Sequence, residues 1–237
     1  MNGVAVVTGA DRGLGLEITR KFLERGWKVF SGKYLANWQE LQTLKSSYGN
    51  LLEIFDLDVA SDESVIAFFD QVNSKTDTVD ILVNNAGIRT EIDKFDDSIN
   101  YETIEKAFSV NSVGPLRMVK AFLPLLDISK TKRLCFISSE AGTISNTTRV
   151  NNFGYCMTKA ALNMNIRILN NCLLHEGYSF RVYHPGWLRS YMGGTKNLEA
   201  DIEPEDSAEV AVTYFTDNSK TDNRLVLIDY LGRELPF

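Results

Sequence analysis

The fold is decided near the amino terminus by one stretch, Val4-Ala5-Val6-Val7-Thr8-Gly9-Ala10-Asp11-Arg12-Gly13-Leu14-Gly15. Its first five residues are apolar on both faces and β-branched, which predicts a strand buried in a parallel sheet. A turn of GxxxGxG spacing follows, and Leu14–Arg25 then has the pattern of an amphipathic helix. Strand, glycine-rich turn and helix in this order predict phosphate binding, because glycine lets a phosphate approach the backbone and the helix offers free N–H groups. A plain tight turn is the alternative, and it ranks lower.

The same alternation of short apolar runs and amphipathic stretches continues along the chain. Six more strands are predicted, at Trp27–Ser31, Leu51–Phe55, Ile81–Asn84, Leu134–Ser138, Phe180–Tyr183 and Leu225–Ile228. Helical patterns lie between them, among them Asp62–Thr76, Glu102–Leu126 and Gly154–Glu176. This order predicts one α/β domain over residues 1–237, a doubly wound, mostly parallel, seven-stranded Rossmann-type sheet with helices on both faces, in three layers. Residues 190–206 are predicted to form a mobile loop at the substrate.

Composition excludes several classes of protein. The formal net charge is −6, from 25 basic and 31 acidic residues, so no nucleic-acid partner is expected. Three cysteines without a CxxC pair predict a reducing compartment. Neither a signal peptide nor a membrane-spanning run is apparent, so a cytoplasmic location and no membrane partner are expected. No ligand set with metal-binding spacing accompanies His175 or His184, so no metal is expected.

Tyr155 and Lys159 are candidates for acid/base chemistry. They are spaced i, i+4 in a predicted helix and therefore share a face. A free tyrosine has a pKa near 10 and is a poor base at neutral pH, whereas a nearby ammonium group lowers that pKa. A YxxxK spacing alone is weak evidence, because it occurs often by chance.

Tyr155 and Lys159 are stronger candidates because they belong to a series of motifs. In its order along the chain, this series resembles the short-chain dehydrogenase/reductase family. The resemblance covers essentially the whole chain. The motifs are Thr8–Gly15, Asp58-Val59, Asn84–Gly87, Asn111, Ser138-Ser139, Tyr155 with Lys159, and Pro185-Gly186. Within the family, Ser139–Gly142, Phe153–Met164 and His184–Gly194 resemble the C-factor-like and sniffer-like carbonyl reductases.

The resemblance implies a role for each matching position. The implied catalytic residues are Asn111, Ser139, Tyr155 and Lys159. Ser139 would hold the substrate oxygen, Tyr155 would transfer a proton to or from it, and Asn111 would hold a water. A longer interval before Tyr155 leaves the choice between Ser138 and Ser139 open. The implied cofactor-binding residues are Gly9, Arg12, Gly13, Leu14, Gly15, Lys33, Asp58, Val59, Asn85, Ala86, Gly87, Tyr155, Lys159, Pro185, Gly186, Leu188 and Ser190.

The end of the second strand bears on the choice of nicotinamide cofactor. The strand ends Val29-Phe30-Ser31-Gly32-Lys33, with no acidic residue to bind a ribose 2′-hydroxyl. Arg12 and Lys33 are two cations that suit a 2′-phosphate, so NADP(H) is favoured and NAD(H) is kept as possible. A solvated surface lysine is the alternative for Lys33.

The predicted function is NAD(P)(H)-dependent interconversion of a carbonyl and an alcohol on a small molecule that the sequence does not identify. Glu140, Trp187 and Tyr191 are expected at the substrate, although Trp187 and Tyr191 are equally consistent with packing. The alternative is a C-factor-like signalling protein that binds the dinucleotide without turnover. A sugar epimerase ranks last, because little of the chain remains for a nucleotide-sugar domain. A homodimer or homotetramer is expected by resemblance.

Overall fold

A computed structural model describes residues 2–36, 38–90, 94–95, 99–219 and 224–236. Its strands are β1 (Val4–Thr8), β2 (Lys28–Lys33), β3 (Leu52–Asp56), β4 (Ile81–Asn84), β5 (Arg133–Ile137), β6 (Ser179–His184), β7 (Leu227–Asp229) and β8 (Glu234–Leu235). Its α-helices are α1 (Gly13–Glu24), α2 (Glu40–Tyr48), α3 (Asp62–Asn73), α4 (Tyr101–Phe108), α5 (Gly114–Ile128), α6 (Phe153–Leu173) and α7 (Pro204–Thr216). In these described ranges no helix is long and apolar enough to cross a membrane.

The strands form one sheet in the order β3-β2-β1-β4-β5-β6-β7-β8. Every neighbouring pair is parallel except β7 and β8, which are antiparallel. The chain runs from β1 outward through β2 and β3, and then returns to β4 on the other side of β1. This reversal leaves a crevice at the carboxyl ends of β1 and β4, where α/β sheets of this kind bind ligands. The doubly wound prediction is confirmed, and β8 is an additional short edge strand.

Two apolar clusters hold the three layers together, because successive strand residues face opposite sides of the sheet. On one side the sheet packs against α3, α5 and α6, with buried residues that include Val6, Leu82, Leu134, Phe68, Phe122 and Ile166. On the other side it packs against α1, α2 and α7, with buried residues that include Val7, Val83, Cys135, Ile18, Leu41 and Phe215. The strand runs that looked apolar on both faces are therefore buried on both faces.

Two predicted segments differ from the structure. The predicted helix Glu102–Leu126 is α4 and α5 joined by a π-helical turn at Ser109–Val113, a departure that is frequent at functional sites. The predicted loop 190–206 is too long, because its last three residues begin α7. It is also better anchored than expected, since Ala200 is fully buried and the backbone N–H of Arg189 donates to the Ile202 carbonyl at 2.9 Å. Its mobility stays a prediction.

Candidate active site

A cavity of about 910 Å³ opens at the carboxyl ends of β1, β4, β5 and β6. Its size suits a cofactor together with a small molecule. Every predicted cofactor and substrate residue lines it except Lys33, and Ser139, Tyr155 and Lys159 line it as well. Asn111 is not part of the lining. The structure therefore brings the predicted residues together at one cavity, and the two exceptions are Lys33 and Asn111.

The glycine turn after β1 is locked against the loop after β4. A Cβ atom on Gly9 would lie 2.9 Å from the Cα of Ala86, and one on Gly15 would lie 2.1 Å from the Gly9 carbonyl oxygen. Neither position therefore accepts a side chain. The Asn85 side-chain amide also donates to the carbonyls of Thr8 and Gly9, at 2.8 and 3.0 Å. These contacts fix the shape of the turn.

The start of α1 fits the phosphates of a dinucleotide. α1 begins at Gly13, and the preceding residue, Arg12, places no side-chain cap on its first turn. No acidic residue lies in that turn. Its free N–H groups, together with the positive end of the helix dipole, form a site for an anion at the cavity wall.

The adenosine side of the cavity contains a stack that the sequence did not reveal. The Arg12 guanidinium lies 5.0 Å from the ring centroid of Trp38, and the Trp38 and Tyr191 ring centroids are 4.8 Å apart. Beside them the buried Asp11 carboxylate accepts the backbone N–H groups of the loop after β2, at Tyr34 and Leu35. Tyr191 was predicted at the substrate, but in this stack its ring packs on Trp38.

Lys33 is not brought to the cavity. β2 and β3 are parallel neighbours, and their register sets Lys33 beside Asp56. The Lys33 Nζ and the Asp56 Oδ1 are 2.7 Å apart, so the ammonium group forms a surface ion pair. Of the two cations proposed from the sequence to bind a 2′-phosphate, Arg12 lines the cavity and Lys33 does not.

The two candidate serines have different partners. The Ser138 hydroxyl donates to the Asn163 Oδ1 at 2.6 Å, and the Ser138 side chain is held against α6. The Ser139 Oγ accepts the backbone N–H of Ala141 at 3.1 Å, and the Ser139 side chain lines the cavity together with Tyr155, whose pKa it lowers. This arrangement favours Ser139 as the partner of a substrate oxygen.

Burial governs the protonation of Tyr155. It lines the cavity, and burial among its neighbours raises the pKa of its phenol to about 12, against a smaller opposing effect of the Ser139 hydrogen bond. Burial outweighs any lowering of this pKa in the protein without cofactor, and the expected effect of Lys159 on Tyr155 stays a prediction. The neutral phenol, a proton donor, is the form present at neutral pH.

Lys159 is nearly inaccessible to solvent. Its Nζ donates to the Ile137 carbonyl at 3.0 Å and lies 5.7 Å from the centroid of the Tyr155 ring. Burial lowers the pKa of its ammonium group to about 8. An ammonium group has three donors, so two of them are available toward the cavity.

Asn111 lies in the π-helical turn and clamps the loop after β4. Its Oδ1 accepts the N–H of Ile88 at 2.8 Å. Its Nδ2 donates to the Ile88 carbonyl at 2.9 Å and to the Thr158 Oγ1 at 3.0 Å. Both amide hydrogens are therefore in use, and a water at this side chain has only the second lone pair of Oδ1 as a partner.

Several polar residues of the cavity wall were not named individually from the sequence: Asp11, Arg89, Lys106, Arg149, Asn152 and, as a wall residue, His184. Arg149 and Asn152 belong to the stretch Glu140–Asn152, which the sequence does lead us to expect at the substrate pocket. Arg89 lies two residues after the Asn85–Gly87 motif, and only that position pointed to it. Burial lowers the pKa of His184, whose Nδ1 has no hydrogen-bond partner among the described residues.

Comparison with known proteins gives consistent results. The family model for short chain dehydrogenases matches residues 3–201. The chain is 32% identical over 165 residues to C-signal of Myxococcus xanthus, covering 70% of this chain and 96% of that protein. A crystal structure of NADPH-bound carbonyl reductase from chicken fatty liver has a TM-score of 0.86 and 27% identity, covering 99% of this chain and 98% of the other. The carbonyl reductase Sniffer of D. melanogaster has a TM-score of 0.88 and 23% identity over 100% of both chains, which shows the shared fold. The resemblance predicted from the motifs is confirmed.

The burial of Lys159 predicts a cost in stability. Its folded-state pKa of about 8 lies below the ordinary 10.5, so the folded protein holds this proton less tightly than the unfolded chain does. The cost is full below pH 8 and shrinks as the pH rises toward 10.5. We therefore expect Lys159→Met to raise the free energy of unfolding at pH 7 by about 1–3 kcal/mol.

Urea unfolding without cofactor, at pH 7 and at pH 10, measures this difference. The gain should be smaller at pH 10 than at pH 7. Lys120→Met, at an exposed position on α5, is the matched control and should change little. A Lys159→Met protein less stable than wild type at pH 7 would show that the buried ammonium group is stabilising.

Proposed function

The chain belongs to the short-chain dehydrogenase family, and we propose that it interconverts a carbonyl and an alcohol on a small molecule, using NADP(H) as hydride carrier. One observation carries the proposal. Ser139, Tyr155 and Lys159 lie together on the wall of a cavity that is also lined by the glycine turn after β1. A proton donor and a phosphate site thus share one cavity.

Different residues around the cavity would bind different parts of the dinucleotide. The turn from Gly9 to Gly15, with the first N–H groups of α1, would bind its phosphates. Asp58 and Val59 would contact the adenine, and Ser190 with the segment Pro185–Leu188 would contact the nicotinamide end. When bound, the dinucleotide supplies or accepts the hydride.

The side chains of the site then handle the proton. In the reducing direction Ser139 holds the carbonyl oxygen and Tyr155 donates its phenolic proton to that oxygen as the carbon receives the hydride. The Lys159 ammonium group stabilises the phenolate that forms, since an opposite charge nearby favours the charged form. Because burial keeps Tyr155 neutral before the reaction, its phenol is in the protonated form that the reducing direction requires.

Two observations support NADP(H) over NAD(H). The residues that follow β2, from Tyr34 to Gln39, include no Asp or Glu, and the Oδ1 of Asp11 in the glycine turn is used by the backbone N–H groups of Tyr34 and Leu35. Arg12 lines the cavity, and its stacking on Trp38 holds the guanidinium on the adenosine side. The similar carbonyl reductase from chicken, at 27% identity, binds NADPH.

A second candidate function is a signalling protein that binds the dinucleotide and needs no turnover. The 32% identity to C-signal supports it. The presence of Ser139 and Tyr155 together on the cavity wall argues against it, because binding a dinucleotide requires no proton donor there. Absence of NADPH oxidation with any carbonyl compound, despite tight binding, would favour this candidate.

A homo-oligomer is part of the proposal. Met157, Met164 and Ile168 are spaced along one face of α6 and are 44%, 60% and 52% exposed. Val113 and Leu116, near the start of α5, are 39% and 41% exposed. A contiguous apolar patch of this kind favours association, and a second copy of the chain is its proposed partner.

The central test of the mechanism is Tyr155→Phe. It removes the donated proton and keeps the ring, so we expect NADPH binding within about twofold of wild type and a kcat at least about 100-fold lower. The assay is NADPH oxidation over aldehydes and ketones, with binding measured separately by calorimetry. Tyr101→Phe, at a position 70% exposed, is the matched control. An active Tyr155→Phe enzyme would contradict the mechanism.

The cofactor preference is tested by a pair of substitutions. Arg12→Gln should weaken NADPH binding about tenfold or more and NADH binding little, because only NADPH carries the 2′-phosphate. Lys33→Gln should leave both unchanged, because Lys33 pairs with Asp56 outside the cavity. Titration of each variant with both cofactors checks this. Equal losses for NADPH and NADH in Arg12→Gln would remove the argument for NADP(H).

The apolar patch is tested by sedimentation velocity. Met164→Glu should dissociate the oligomer into folded monomers, because it places a charge in the middle of the patch. Ile66→Glu, at a position of similar exposure on α3, should leave the sedimentation coefficient unchanged. A wild-type protein that sediments as a monomer at micromolar concentration would exclude this interface.

A further inference from the structure

The wall beside Tyr155 carries more positive than negative charge. Besides Lys159, three cations line the cavity outside the glycine turn: Arg89, Lys106 and Arg149. The nearby carboxylate is Glu140, which forms an ion pair with Arg149. Arg89 and Lys106 have no carboxylate partner among the described residues.

Of these three cations, Arg89 acts electrostatically on the Tyr155 phenol. It directly follows Ile88, whose backbone N–H and carbonyl are both fixed by Asn111, so the start of its side chain is held in place. Its positive charge lowers the pKa of Tyr155 and the charge of Glu140 raises it, which places both side chains within electrostatic reach of the phenol. Arg12, the candidate for the 2′-phosphate, lies in the turn after β1 and stacks on Trp38. Arg89 is therefore not needed for the proposed contact with the 2′-phosphate.

Asn152 adds a second polar group to the same wall. It lies one helical turn before Tyr155, is 7% exposed and has a left-handed backbone with a φ of 65°. Its Oδ1 is buried and has no hydrogen-bond partner among the described residues, although the residue lines the cavity. Leaving a buried polar atom unpaired is unfavourable, and a polar substrate would supply the missing partner.

We propose that the substrate is a carbonyl compound that also carries a carboxylate, and that Arg89 is the residue that selects it. A guanidinium group binds a carboxylate through two parallel hydrogen bonds, which gives orientation as well as affinity. Asn152 then accepts a hydrogen bond from a hydroxyl or N–H group of the same molecule. This proposal rests on the proposed function, because it concerns the substrate of the same site.

Two matched aldehydes test the proposal. 4-Formylbenzoate and its methyl ester differ in charge but little in shape. With NADPH and the wild-type protein we expect kcat/KM for the acid to exceed that for the ester by about tenfold or more. In Arg89→Gln this ratio should fall to near one. Arg224→Gln, which removes an exposed arginine paired with Glu234, should keep the wild-type ratio.

The outcomes separate this proposal from the function on which it rests. If the ester is reduced as well as the acid, the reductase function stands and the selection of a carboxylate is overturned. If neither aldehyde is reduced, calorimetry with 4-formylbenzoate and the NADPH-loaded protein decides. Binding that Arg89→Gln weakens by about tenfold supports the proposal, and no binding to the wild type overturns it. Because Arg89 is exposed, its substitution is expected to leave the fold intact, which the thermal midpoint checks.

Discussion

The site depends on the close contact between two loops at the point where the sheet reverses its order. Gly9 lies against Ala86, and Gly15 lies against the Gly9 carbonyl and the Asn85 side chain, with no room for a Cβ atom. This contact brings the first turn of α1 to the edge of the cavity. It also sets the start of the loop that continues to Ile88, which Asn111 clamps. The proposed phosphate site and the proposed reaction site are therefore connected through this pair of loops.

Burial shapes the chemistry on the other side of the cavity. It raises the pKa of Tyr155 and lowers that of Lys159, so that it opposes charge on both side chains before any substrate arrives. A neutral phenol can donate its proton to a carbonyl oxygen, and the neighbouring Lys159 ammonium group holds its own proton less tightly than an ordinary lysine does. The same burial costs folding free energy, which is common where a site is arranged for function. The sequence shows the neighbouring ammonium group, but the desolvation of both side chains becomes visible only in the folded structure.

The strands were predictable because buried parallel strands are short, continuous and β-branched, as Val4–Thr8 and Ile81–Asn84 are. α2 was missed because it buries only Leu41 and Leu44, and α7 because much of its buried face consists of small residues. Motif order located the cofactor turn, Tyr155 and Lys159. Motif order did not predict the ion pair of Lys33, which depends on the register of β2 with β3. It also did not single out Arg89 and Asn152, because their place on the cavity wall depends on how the loops pack together. Register and cavity shape are properties of packing that a linear pattern does not contain.

The account claims that a hydride and the Tyr155 proton meet at one carbonyl group in this cavity. The most direct measurement uses NADPH in which both hydrogens at C4 of the nicotinamide are deuterium, with 4-formylbenzoate and its methyl ester as acceptors and mass spectrometry of the products. We predict benzyl alcohols that carry one deuterium on the carbinol carbon, with the hydroxyl hydrogen drawn from the protein and solvent. A protein that binds NADPH but forms no deuterated alcohol from either aldehyde would contradict the account.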